Sequence, residues 1–162
     1  MTKNKLTYLV IHCTATPEGK EVTSDDIRRW HTSPKPKGRG WKQVGYADMI
    51  HLDGTIENLV PYNNDDKVDS WEITNGAYGI NSISRHVVYV GGVDADDVKK
   101  AKDTRTWLQE LSMINYVKET IAKHPTILVA GHNQFANKAC PSFDVPKWLK
   151  AIGVEEKNIY GK

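Results

Sequence analysis

His12, His132 and Cys140 are the residues of this sequence best suited to hold a metal ion together. Each stands where a strand pattern gives way to a loop. Residues 6–15 carry the apolar run Leu9-Val10-Ile11 and then His12-Cys13-Thr14. Residues 126–130 form a short β-branched strand that runs into Gly131 and His132, with Cys140 in the loop beyond. Metal ligands are usually presented this way, on rigid strand ends with a loop closing the site. Two imidazoles and one thiolate make a zinc set with the fourth position open, the pattern of a catalytic rather than a structural site. The spacing alone leaves a second reading open, in which both histidines belong to the core and the thiol is simply buried. No His-Glu-x-x-His segment is present, so the general base of the common metalloproteases is missing.

The elements that must position these residues follow from patterning. The first strand is apolar on both faces, as a central strand covered by helices would be. Thr23 is an N-cap candidate with Asp25 and Asp26 in the first turn, and Ile27, Trp30 and His31 share one face of the helix that follows. That helix must stop by Pro34, and residues 34–40 are loop. Residues 44–52 read as a second strand, turning at Asp53-Gly54 into a hairpin partner over 55–60. A polar connection over 61–84 holds one helical turn around Trp71, and residues 86–90 form another strand, stopped by Gly91-Gly92. Thr104 or Thr106 caps a long helix whose Trp107, Leu111, Ile114, Val117 and Ile121 recur at spacings of three and four; Pro125 ends it. Asp144 and Pro146 open a last amphipathic helix. The expected fold is α/β, a central mixed β-sheet flanked by helices, in one domain over residues 1–162.

Several short segments occur in a telling order: Val10-Ile11-His12-Cys13-Thr14-Ala15-Thr16, Val44-Gly45-Tyr46, Asp53-Gly54-Thr55 and Lys138-Ala139-Cys140-Pro141-Ser142-Phe143-Asp144. With Ile27-Arg28-Arg29-Trp30-His31 and Val90-Gly91-Gly92-Val93-Asp94, they resemble the zinc-dependent N-acetylmuramoyl-L-alanine amidases (amidase type 2), most closely the small phage lysozymes of the T-seven type. The resemblance spans roughly residues 8–149 and extends in fold to peptidoglycan recognition proteins. It implies that His12, His132 and Cys140 bind Zn2+ and that Tyr46 and Lys138 are catalytic, beside the reacting water. The implied substrate is peptidoglycan, cut between the lactyl group of N-acetylmuramic acid and the L-alanine of the stem peptide. An amide is a poor electrophile and water a poor nucleophile, and zinc chemistry addresses both. The Lys138 ammonium would steady the oxyanion, and Tyr46 would hydrogen-bond water or oxyanion. Two rivals share the resemblance: a recognition module that holds muropeptides without cutting them, and a lysozyme-type regulator of a phage RNA polymerase. Many relatives carry His and an aromatic residue where this chain has Ala47 and Asp48, and His where Gly76 stands.

The remaining candidates are weaker. Strand alternation points His12 and Cys13 to opposite faces, which makes Cys13 a small buried hydrophobe. The same alternation puts Tyr46, Asp48 and Ile50 on one face, so Asp48 either reaches the site or sits near a solvated edge. His31 reads as packing, His124 as a cation at a helix end, and His51 and His86 as strand residues without evident partners. The Lys- and Arg-rich loop over 35–42, with Trp41 inside it, reads as a solvated loop able to meet sugars or anionic cell-wall polymers.

Composition narrows the classes. With 22 basic and 20 acidic residues among 162, the net charge of +2 argues against a dedicated nucleic-acid binder. No apolar run approaches the roughly 18 residues of a membrane span. The N-terminal residues lack the apolar stretch of a secretory signal, so a cytoplasmic product of phage or prophage origin, released to act on the wall, is expected. No separate wall-binding domain and no oligomer are expected. Two cysteines exclude a disulfide scaffold.

Overall fold

The computed structural model describes residues 4–161; the first three residues of the N-terminal segment read above lie outside it. Its centre is a five-stranded sheet. Four strands run parallel, in the order β4 (Asp48–Ile50), β7 (Ser84–Tyr89), β2 (Tyr8–Cys13) and β9 (Leu128–Gly131), and β5 (Ile56–Asn58) closes one edge antiparallel to β4. Two small pairs flank it: β1 (Asn4–Lys5) with β6 (Lys67–Val68), and β3 (Thr16–Pro17) with β8 (Gly92–Val93). The mixed sheet expected from the pattern is what forms.

Helices cover both faces, which is why β2 and β7 are apolar nearly throughout. On one face α2 (Trp107–Lys123) and α3 (Val145–Ala151) pack Met113, Val117, Trp148 and Leu149 onto Leu9, Ile11, Val87, Tyr89 and Val129. On the other, α1 (Ser24–Thr32) packs Ile27 near Met49, Val88 and Val90. Thr23 caps α1 through Asp26 N–H while the Asp26 carboxylate accepts from Thr23 N–H, and Thr106 caps α2 through Gln109 in the same reciprocal way. Thr106, not Thr104, is therefore the cap. No helix among the described residues is long and apolar enough to cross a membrane.

Three expectations need correction. The apolar face of α2 is not the one that starts at Trp107 and Leu111, which are 71% and 47% exposed; it runs through Gln109, Met113, Tyr116, Val117 and Thr120. Polar Gln109 and Thr120 are buried because their side chains bond backbone carbonyls: Gln109 donates to Ile50 and Val90, and Thr120 to Tyr116. Periodicity weighted by hydropathy cannot see such residues. Next, β4 starts at Asp48 rather than residue 44, so the alternation that paired Tyr46 with Asp48 breaks before the strand begins. Lastly, the polar connection contains β6 and two 3-10 turns, Ser70–Glu72 and Asn81–Ile83.

Candidate metal centre

The site is built at the carboxyl ends of the parallel strands, where open α/β sheets leave a crevice. His12 stands one residue before the end of β2 on the α1 face, and His132 begins the turn that follows β9. Cys140 comes from the loop between β9 and α3. That loop is tied down from several sides: Tyr89 donates its hydroxyl to Pro141 O at 2.6 Å, Ser142 donates to Gly92 O at 2.8 Å, and Ser142 N–H to Ala139 O at 2.6 Å. Gly92, at φ +108, lies against the Cys13 side chain, where an added Cβ would collide with the sulfur. The loop is thereby pressed to the strand ends and carries Cys140 with it.

One ligating atom each from His12, His132 and Cys140 lie within 4.8 Å of one another. His12 Nδ1 faces Cys140 Sγ at 3.8 Å, and the two imidazole rings are 4.6 Å apart. Burial, followed by repulsion from charge on the neighbouring titratable groups His86, His132 and Lys138, holds His12 well below the ordinary histidine range; burial and Lys138 lower His132 as well. Both rings are therefore neutral near pH 7, the form that ligates. The Cys13 thiol and burial push the Cys140 thiol well above the ordinary cysteine range, and the main-chain N–H of Cys13, which donates to Cys140 Sγ at 3.2 Å, offsets part of that rise. This donor escaped the sequence reading, because a backbone group leaves no trace in residue type. A soft thiolate and two imidazoles at this separation fit zinc.

Cys13 is buried in the core cluster with Leu9, Ile11 and Tyr89, as strand alternation required, and its thiol also bonds the Cys140 thiol and lies 3.8 Å from Ser142 Oγ. Tyr46 stacks at a tilt 5.2 Å from the His12 ring, and burial raises its phenol far above the ordinary tyrosine range, so it remains a proton donor. Lys138 is exposed at the rim. Together with His31, Trp41, Tyr78 and His132, these two residues line a groove of ≈ 290 Å³ that opens beside the trio. His31 is buried and anchors the wall: its Nδ1 accepts from Gly45 N–H at 2.9 Å, next to Tyr46.

Other expected roles change. Asp48 reaches neither the site nor a solvated edge. It is 3% exposed on the opposite face, where its carboxylate accepts from Tyr62, Tyr116 and Asn58. His51 has two partners, Glu21 at 3.1 Å and Glu57 at 2.9 Å, which raise its pKa against the opposing effect of burial. His124 is not the helix-end cation expected, since burial lowers its pKa. His86 does have a partner: its Nδ1 lies 2.8 Å from His12 Nε2.

A mixed sheet with helices on both faces is the fold of solved amidases and peptidoglycan recognition proteins. The N-acetylmuramoyl-L-alanine amidase LysC from Clostridium intestinale has this fold at a TM-score of 0.68 and 22% identity, over 94% of this chain and 88% of that one. Bumblebee PGRP-SA has it at 0.67 and 17% identity, over 99% and 90%. Residues 2–143 match the N-acetylmuramoyl-L-alanine amidase family, and the chain belongs to it. Among its relatives, the endolysin of Enterobacteria phage K11 is 35% identical over 149 residues, 91% of this chain and 88% of the relative. The endolysin of Escherichia phage T7 is 33% identical over 140 residues, 86% and 83%. The protein is an amidase of the peptidoglycan-degrading kind.

Proposed function

We propose that this single amidase domain cuts the bond between N-acetylmuramic acid and L-alanine with zinc held by His12, His132 and Cys140, and that it serves phage or prophage lysis as a monomeric endolysin acting on the wall after release. The observation that carries this reading is the convergence of three ligating atoms within 4.8 Å beside the groove that His132 lines. Zinc bound there would activate a water and polarise the amide carbonyl. The chain's own residues do the rest. The groove aligns the muropeptide, with Trp41 and Tyr78 offering flat faces to sugar or peptide. Lys138, exposed at the rim, is placed to meet the negative charge that develops on the carbonyl oxygen. Neutral Tyr46 donates from the buried side of the same space.

Digestion of purified cell walls tests the reaction. New L-alanine amino termini should appear without new reducing sugar ends, and the purified protein should contain one zinc by elemental analysis. Reducing ends would mean a glycosidase, which needs two carboxyl groups flanking the sugar bond. Tight muropeptide binding with neither product would make the chain a recognition module.

A further inference from the structure

His86 lies in no ligand set and touches no groove residue's reacting end, yet it is fully buried against the metal centre. Its hydrogen bonds fix more than its own position. Ala77 N–H donates to Asn81 Oδ1 at 2.9 Å, and only the amide oxygen can accept there. That same oxygen is 2.9 Å from His86 Nε2, so His86 Nε2 must carry a proton and donate it. A neutral His86 ring then has a bare Nδ1, which can only accept. The atom it faces at 2.8 Å is His12 Nε2, which must therefore be the protonated nitrogen of His12. His12 Nδ1 is left with a free lone pair, and it is Nδ1 that faces Cys140 Sγ.

We infer that the chain Asn81–His86–His12 selects the ligating tautomer of His12, making His86 and Asn81 positioning residues for zinc capture. Metal-bound histidines characteristically donate their other N–H to an acceptor that orients the ring and raises its basicity. Carboxylates and backbone carbonyls commonly fill that role; here a second imidazole does so, itself oriented by an amide. The backbone makes room for it. A Cβ on Gly76 would stand 2.5 Å from both Cγ and Nδ1 of His86 and 2.8 Å from Gly45 O, so only glycine at this position lets the ring lie where it does.

The inference rests on the zinc reading for its consequence but not for its geometry, and the test separates the two. In zinc-free wild type, nitrogen NMR should find His12 and His86 both protonated at Nε2; an Nδ1 proton on either ring would overturn the proposal whether or not the protein binds zinc. His86→Phe keeps the ring volume and removes both nitrogens. Competition with a chelator at fixed pH should then show zinc affinity lowered about 10- to 100-fold, with His12 divided between tautomers. His86→Gln, which restores an acceptor for His12, should recover much of the loss. Should His86→Phe fail to fold, the wild-type tautomers and the His86→Gln affinity decide alone. Unchanged zinc affinity in a folded His86→Phe protein would overturn the role. A wild type that takes up no zinc, with the tautomers as expected, would overturn the ligand assignment and the capture role together, leaving only the hydrogen-bonded chain.

Discussion

The two faces of the central sheet use the same strands for opposite ends. On β2, Leu9, Ile11 and Cys13 point to α2 and α3, while Val10 and His12 point to α1. The α2 face is a conventional core that holds the buried carboxylate of Asp48, whose partners are two tyrosine hydroxyls and an amide. That charge is satisfied within the fold, and burial together with the Asp48 charge pushes the Tyr62 phenol up to about 12. The α1 face instead collects histidines, His12, His86, His132 and His31, beside an open groove. Burial pulls the pKa of His31 down to about 4 and of His86 to about 3, with Arg39 adding to the first shift and His132 to the second. Polar groups on one face complete each other. On the other they leave lone pairs pointing at a common space, and that difference separates a structural polar cluster from a reactive one.

Ligand removal should break this comparison most sharply. Cys140→Ala or His12→Ala should lose zinc by elemental analysis and lose wall cleavage altogether, with the circular dichroism spectrum kept, since the opposite face carries the core. Full zinc occupancy in either variant would remove that residue from the set. A smaller effect is expected from Lys138→Ala. It should retain zinc yet cleave roughly a hundredfold more slowly, the usual cost of losing one oxyanion-stabilising donor. Wild-type cleavage would make Lys138 a solvated rim residue only. The smallest effect on chemistry belongs to the other face. Asp48→Ala leaves buried hydroxyls without an acceptor and should cost about 3 kcal/mol in urea denaturation while the activity per folded molecule stays the same. A loss of zinc in that variant would show that the two faces are coupled after all.

The sheet, the capped helices and the ligand types were legible because apolar runs, N-caps and ordered short motifs are local signals. The failures share a cause. Gln109 and Thr120 occupy a core face through side chain to carbonyl bonds, which hydropathy spacing does not register. Tyr46 and Asp48 went to opposite faces because the chain bends before β4, so counting by twos started too early. His51 and His86 lacked evident partners in the sequence because one partner of each lies 30 and 74 positions away, and the nearer ones, Glu57 and Asn81, meet them only through the hairpin and the turn that fold back.

By itself the sequence determined which chemistry was available: two imidazoles and a thiol at loop entrances, a lysine two residues before the cysteine, and an ordered set of motifs resembling one amidase family. Only the tertiary structure decided that His12 and Cys140, 128 positions apart, share one space. It also decided which nitrogen of His12 faces that space, and that Asp48 does not. Parallel strands joined by crossovers bring distant loops to one end of a sheet. Which side chains then meet depends on where each strand begins and on hydrogen bonds made across that distance, and neither is written in any local stretch of residues.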